Sequence, residues 1–82
     1  MKLTSPEALA QALKNARKRQ GFSQSDTANQ IGVKQATVSG FENHPDGSRI
    51  ETLFKLLSAL NLELHVAERN KPDDESGWDQ EW

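Results

Sequence analysis

The sequence predicts an all-α fold, a small helical bundle with one short strand near its C-terminal end. Apolar residues recur at helical spacing in four stretches between residues 5 and 61. Two of these stretches are short and meet at Gly32, which suits the left-handed end of a helix. The pattern alternates only in residues 62–67, the period of a half-buried strand. With 82 residues and 34% hydrophobic content, one small domain is expected.

Charge divides the chain into two parts. Residues 1–62 contain eight Lys/Arg and five Asp/Glu, whereas residues 63–82 contain two Lys/Arg and seven Asp/Glu. The total of −2 therefore separates into +3 on the helical part and −5 at the C-terminal end. The last stretch is charged, contains proline and glycine, and has little to bury. We predict a domain at residues 1–67 and a disordered acidic tail at residues 68–82.

The first predicted helix begins at Ser5. Its hydroxyl can cap the opening turn, Pro6 suits the first helical position, and Glu7 lies near the positive helix end. Gly21 is the predicted stop, after a basic cluster at residues 17–19. That cluster either complements the helix dipole or contacts phosphate groups, and the two interpretations are compatible. The apolar residues of this helix are Leu9, Ala12, Leu13 and Ala16.

Residues 23–42 have the pattern of a helix-turn-helix. Ser23 and Asp26 form a predicted capping box at the start of the second helix. Ala28 is small where two helices must cross, and Gly32 permits a tight turn. Apolar residues after the turn complete the pattern, namely Val33, Val38 and Phe41. The alternative is an ordinary helical hairpin with a polar surface.

The third predicted helix, residues 34–41, has a small and polar outer face. Such a helix can lie in the major groove of DNA with its first residues at the base edges. The residues that suit base edges are Lys34, Gln35, Ala36 and Ser39. Phosphate contacts are predicted for Ser23, Gln24 and Thr37.

The fourth predicted helix follows a run of turn formers at residues 43–47. Ser48 and Glu51 form a predicted capping box. Leu56 lies off the predicted buried stripe and is expected to be exposed or at an interface, and Asn61 is expected to end the helix. The predicted stripe consists of Ile50, Leu53, Phe54, Leu57 and Leu60.

Residues 62–67 are the only strand candidate. An isolated strand leaves its backbone groups unpaired. We therefore predict that Leu62, Leu64 and Val66 mark a strand that pairs with the same strand of a second copy, in a two-fold homodimer. The alternatives are an extension of the last helix and a coil.

No group of residues suggests catalysis or a cofactor. His44 and His65 are 21 positions apart and cysteine is absent, so no metal site is expected. The acidic cluster at residues 73–75 lies in the predicted tail and reads as a solvated charge run. Neither a glycine-rich phosphate loop nor a nucleophile elbow is present. With no apolar run of membrane-spanning length and no signal-peptide pattern, we predict a cytoplasmic protein that is not an enzyme.

Residues 23–42 resemble the helix-turn-helix of Cro/repressor-like regulators, which have the lambda-repressor-like fold. Nearly the whole chain, including the ending Glu81-Trp82, resembles the HipB-type antitoxins of HipA/HipB toxin–antitoxin systems. The resemblance implies a dimeric repressor that binds a palindromic operator and neutralises HipA, a serine/threonine kinase. It implies base contacts from Lys34, Gln35, Ala36 and Ser39. Thr27 departs from the family, which more often has leucine there, so one core contact is expected to be weaker.

Trp82 is the predicted anchor for toxin binding. Ordering a short tail costs entropy, so a large apolar side chain is needed, and tryptophan is enriched at interface hot spots. The alternative is a solubilising tail without a binding role. For the whole chain, the alternative is a helix-turn-helix adaptor, or a plain transcriptional regulator without a toxin partner. An adaptor is expected to show an apolar patch on the third helix.

Overall fold

The computed structural model describes residues 2–69, which form four α-helices and one 3-10 turn. The elements are α1 (Pro6–Arg19), α2 (Gln24–Ile31), α3 (Gln35–Asn43), the 3-10 turn (Pro45–Gly47) and α4 (Ile50–Ala59). Within residues 2–69 no strand is present. The predicted all-α class is confirmed. None of the helices in this part of the chain has the length and apolar character needed to cross a membrane.

The caps of α1 and α2 form as predicted. Ser5 Oγ accepts from the Ala8 amide at 3.0 Å, and Pro6 occupies the first turn of α1. In α2, Ser23 Oγ accepts from the Asp26 amide at 2.9 Å, and the Asp26 carboxylate accepts from the Ser23 amide at 3.0 Å. Hydrogen bonds from the Ser23 backbone and side chain to the Asp26 carboxylate lower the pKa of Asp26. Gly32 ends α2 with φ 71°, the left-handed conformation expected of it.

The predicted capping box at the start of α4 is wrong. The cap residue is Arg49, which makes no side-chain cap hydrogen bond, and α4 begins at Ile50. The Ser48 amide instead donates to the Pro45 carbonyl at 3.0 Å and closes the 3-10 turn. This turn holds Ser48 one residue outside the cap position, so Glu51 no longer occupies the third position of the helix.

The buried stripe of α4 also differs from the prediction. Leu56 is 3% exposed, whereas Ile50 and Phe54 are 72% and 53% exposed. Leu53, Leu56, Leu57 and Leu60 follow i, i+3, i+4 and i+7 spacing, and this set faces the other helices. Ile50 and Phe54 lie to one side of it. The full set of buried apolar residues is Ala10, Leu13, Ala16, Ala28, Val38, Phe41, Leu56, Leu57 and Leu60.

Thr27 lies fully within this core at 0% exposure. Its hydroxyl donates to the Ser23 carbonyl at 3.0 Å. A buried hydroxyl with a partner avoids the cost of an unsatisfied polar group. The position where leucine was the family expectation is therefore occupied by a smaller side chain whose polar atom is satisfied within its own helix.

Residues 62–67 follow a regular helix ending. The Leu62 amide donates to the Leu57 carbonyl at 2.8 Å, the Asn61 amide donates to the Ser58 carbonyl at 3.1 Å, and Asn61 has φ 57°. These two bonds and the left-handed residue make a Schellman motif, so Asn61 ends the helix as predicted and the helix does not continue. In the single chain, residues 62–67 are irregular backbone. A ladder between two copies needs a second chain and stays a prediction.

Candidate nucleic-acid interface

The outer face of α3 carries the side chains expected at base edges. Lys34 is the cap residue of α3, and it is exposed together with Gln35 and Ala36. Ser39 lies one turn beyond Gln35 and is half-buried, with its hydroxyl accepting from Asn43 Nδ2 at 3.2 Å. The opposite side of α3 holds Val38, which is fully buried. The helix therefore presents a small polar surface outward and an apolar one to the core.

Gln24 and Gln35 are in direct contact across the turn. Gln35 Nε2 donates to Gln24 Oε1, and Gln24 Nε2 donates to Glu42 Oε1 at 3.0 Å. Gln24 thereby links the first residue of α3 to the last turn of the same helix. The contact leaves Gln35 its carbonyl oxygen and one amide hydrogen for another partner.

Glu42 is held by a guanidinium from α1. Arg17 Nε lies 2.7 Å from Glu42 Oε2, and Arg17 Nη2 donates to Oε1 at 3.1 Å. A third donor, Arg17 Nη1, bonds the Phe22 carbonyl at 2.7 Å. Burial raises the pKa of Glu42, but the hydrogen bonds from Arg17 and Gln24, together with the positive charges of Arg17 and Lys14, lower that pKa by more, so the carboxyl stays ionised.

Arg17 was not predicted to have this role. The sequence interpretation placed it in a basic cluster for the helix dipole or for phosphate, and the ion pair removes it from phosphate contact. A signal was present, because Arg17 continues the Ala10 and Leu13 stripe and Glu42 follows Val38 by one turn. A charge in register with an apolar stripe indicates a buried partner. Lys18 and Arg19 remain exposed.

The residues predicted to contact phosphate lie at two places. Ser23 is exposed at the start of α2, where its oxygen accepts the capping bond. Gln24 lies beside it and is half-buried. Thr37 is also half-buried, and it lines a separate cleft between α3 and the start of α4.

The cleft between α3 and the start of α4 also contains a cation that the sequence interpretation missed. Arg49 lines it together with His44, Ser48 and Thr37. The sequence did offer a signal for Arg49, since it is the only Lys or Arg between residues 35 and 54.

The remaining predicted residues lie away from α3. Leu62, Leu64 and Val66 are 36%, 43% and 65% exposed, so the predicted dimerisation residues are accessible in the single chain. Trp82 and most of the predicted tail lie outside the described residues.

A short helix with a polar outer face, packed across a glycine turn on a capped helix, defines a helix-turn-helix domain of the DNA-binding type. The sequence model of the Helix-turn-helix family matches residues 13–66. Antitoxin HipB of Escherichia coli strain K12 is 42% identical over 83 residues, which span 99% of this chain and 94% of that protein. The chain belongs to the HipB antitoxin family.

Solved structures of the family have the same fold. A chain of a HipA-HipB-O2-O3 complex is 43% identical and superposes with a TM-score of 0.83, over 85% of this chain and 99% of that one. A HipB-O4 20mer complex gives the same identity, TM-score and coverage.

Proposed function

We propose that this chain is a DNA-binding antitoxin and transcriptional autorepressor, which binds a palindromic operator as a homodimer and neutralises a HipA-like serine/threonine kinase in the cytoplasm, at the nucleoid. The observation that carries the proposal is the outer face of α3. Its exposed side chains are small or polar, and no large apolar side chain lies among them. An adaptor would need an apolar patch there, so the face favours DNA.

The base contacts follow from the donors and acceptors of α3. Lys34 donates to guanine O6 or N7, and Gln35 uses its free carbonyl and amide hydrogen on adenine, or bonds a phosphate. Ala36 contacts a thymine methyl group, and Ser39 bonds a base or the backbone. Gln24 fixes the Gln35 side chain by their mutual bond. Fixing a side chain before binding reduces the entropy lost on the DNA.

Phosphate contacts position the domain without reading sequence. Ser23 and Gln24 meet the backbone at the start of α2, and Thr37 meets it from the far side of α3. Arg49 supplies a cation in the same cleft as Thr37. Contacts on both sides of α3 would fix its depth and register in the groove.

The homodimer is proposed through residues 62–67. A palindromic operator has two half-sites about one helical turn apart, and binding both needs two recognition helices related by a two-fold axis. Pairing of the two segments would cover Leu62, Leu64 and Val66. Val66→Pro would remove a ladder donor and should favour monomer, which sedimentation at micromolar concentration measures.

The toxin partner is proposed from the family, since a solved relative is named as a complex of HipB with HipA. A plain regulator without a toxin partner is the alternative. Co-expression with a tagged HipA-like kinase decides between them, because a stable complex supports the antitoxin and free kinase supports the plain regulator.

A gel shift tests the proposed base contacts. Lys34→Ala and Gln35→Ala should each cost about 1–3 kcal/mol on the operator and much less on random DNA. Gln11→Ala removes an exposed amide from α1 and is the matched control. Unchanged preference for operator over random DNA in the first two variants would contradict the proposed readout.

A further inference from the structure

The cleft between α3 and the start of α4 has the size and the chemistry of an anion site. Its volume is about 460 Å³. A phosphate group has five heavy atoms, which at about 30 Å³ each need on the order of 150 Å³, so the cleft has room for one. No Asp or Glu is among the described residues that line it. Three of the lining side chains are hydroxyls and two can carry a positive charge, namely Thr37, Ser48, Thr52, His44 and Arg49.

The side chain of His44 is available to a partner from outside. The backbone of this residue is fixed, because its amide donates to the Gly40 carbonyl at 2.7 Å and ends α3. The side chain is exposed, and within residues 2–69 its imidazole makes no hydrogen bond or ion pair. The other histidine, His65, differs in this respect, since its Nε2 lies 2.8 Å from Glu63 Oε2. His44 is therefore the histidine that an anion in the cleft would meet.

The cleft opens on one side of α3, next to the face that we propose to read bases. Thr37 and Gly40 are three positions apart and line the cleft from the same side of the helix, beside Ala36. When a helix lies in the major groove, its sides face the phosphate backbones that border the groove. The phosphate that we propose to contact Thr37 and Arg49 would therefore lie beside His44 as well.

The charged groups around His44 leave the cleft positive. Arg49, from the start of α4, is the one other charged residue among the described residues that line it. Asp46, in the 3-10 turn, is exposed and does not line the cleft. The remaining charged groups of the surrounding helices are paired outside it, namely Glu42 of α3 with Arg17 and Lys14 of α1, and Glu51 with Lys55 along α4.

We propose that DNA binding is linked to protonation of His44, whose charged imidazole binds the DNA phosphate in this cleft beside Arg49. The inference rests on the proposed operator binding and adds its regulation by pH. Histidine is the side chain that ordinarily changes charge between about pH 5 and 8, whereas the DNA backbone stays negative. Since the phosphate favours the charged imidazole, the complex takes up protons, and binding becomes tighter as the pH falls. The contact is to the backbone, so it acts equally on operator and random DNA.

The experiment compares three variants with the original chain. His44→Asn keeps a side-chain donor and removes the charge, and His44→Arg carries the charge at every pH. Asp46→Asn is the matched control, because it removes a titratable group from the adjoining turn without touching the cleft. His65 is present in all four proteins. Anisotropy with labelled operator and random DNA at about pH 5.5 and about pH 8 stays above the range in which carboxylates take up protons.

We expect the original chain to bind about tenfold more tightly at the lower pH, because a homodimer presents two clefts and an exposed charge contact contributes up to about fivefold. His44→Asn should lose this difference, and Asp46→Asn should keep it. His44→Arg should bind at the higher pH as tightly as the original chain binds at the lower one. The salt dependence of log K should be steeper at the lower pH by about 0.9 for each added phosphate contact, in the original chain and not in His44→Asn.

Three outcomes overturn the inference. They are an original chain that binds equally at both pH values, a His44→Asn variant that keeps the full pH difference, and a His44→Arg variant that binds no more tightly than His44→Asn at the higher pH. In each case a preference for operator over random DNA leaves the proposed function standing. An original chain without that preference at either pH contradicts the proposed function, on which the inference rests. Circular dichroism of all four proteins should show equal helix content, since the side chain of His44 is exposed.

Discussion

Arg17 and Glu42 lie 25 residues apart and join α1 to the last turn of α3 through two hydrogen bonds of 2.7 and 3.1 Å. Their side chains are only 9% and 4% exposed. The third bond of Arg17, to the Phe22 carbonyl, fixes the loop between α1 and α2. One side chain therefore sets the mutual positions of three parts of the fold, and through Gln24 it reaches the first residue of α3.

Arg17→Ala should destabilise the domain by about 1–3 kcal/mol, since it leaves a nearly buried carboxylate without its main partner. Lys18→Ala removes the exposed neighbouring cation and should change stability by no more than about 0.5 kcal/mol. Urea denaturation of the two variants measures the difference. Equal stability of both would show that the ion pair contributes nothing to the fold.

Acid should weaken the fold through Glu42 and Asp26. Hydrogen bonds lower the pKa of Asp26. For Glu42, hydrogen bonds and the positive charges of Arg17 and Lys14 together outweigh the opposing effect of burial on the pKa, so the unfolded chain takes up protons first as the pH falls. The stabilising contribution is complete above the ordinary pKa of the two groups, about 4, and is lost as the pH falls through their lower folded values. Melting temperature against pH measures this loss. Glu42→Gln should be less stable at pH 7 and should lose less stability on acidification. If its melting temperature fell with pH as steeply as that of the original chain, the result would contradict the role of Glu42.

Gln24→Ala should reduce operator affinity while leaving the fold intact. The variant frees the Gln35 side chain, which then loses entropy on binding, and it removes a proposed phosphate contact. Gln30→Ala takes an exposed amide from the same helix and should leave affinity unchanged. Fluorescence anisotropy with labelled operator gives both values. If Gln24→Ala bound the operator as tightly as the Gln30→Ala control, the result would contradict a role of Gln24 in the interface.

Gly32→Ala should destabilise the domain by about 1–2 kcal/mol, because an alanine at φ 71° is strained. In a domain of this size, that lowers the melting temperature by roughly 4–8 °C for each kcal/mol. Gly40→Ala is the matched control. It lies within α3 with nothing near the added methyl group, so it should stabilise the fold by about 0.5–1 kcal/mol. Changes of the same sign in both variants would contradict the role of Gly32.

Deletion of Trp82 should weaken binding of a HipA-like kinase and leave operator binding unchanged. Tryptophan offers more apolar surface than other side chains and is enriched at interface hot spots. Trp78→Ala is the control for a general effect of aromatic residues in this segment. Calorimetry against the purified kinase compares the three proteins, and the anchor role fails if the deletion binds as tightly as the full chain.

Local signals in the sequence were sufficient for the starts of α1 and α2 and for the turn at Gly32. The caps at Ser5 and Ser23 and the stop at Gly32 depend on residues within one turn, so their chemistry is visible in a short stretch. The box at Ser48 failed because the competing 3-10 turn begins at Pro45, and its closing bond shifts the start of α4 by one residue.

Relationships between distant elements were harder to predict. The α4 pattern contains more apolar residues than one face can hold, and only the packing of α1 to α3 decides that Leu56 is buried and Phe54 is not. The Arg17–Glu42 pair depends likewise on how α1 and α3 meet. The outer face of α3 was predictable because it needs only the helical period.

The attachment of α3 at both ends has an evolutionary consequence. Gln35 is tied to Gln24 and Glu42 to Arg17, whereas Lys34 and Ala36 are exposed and take no part in this network. Under the proposed base contacts, substitutions at Lys34 and Ala36 change the preferred operator without loosening the helix that carries them. A duplicated copy of the gene could thus acquire a new operator in a few mutational steps, while changes at Arg17 or Glu42 would be removed by selection for a folded protein.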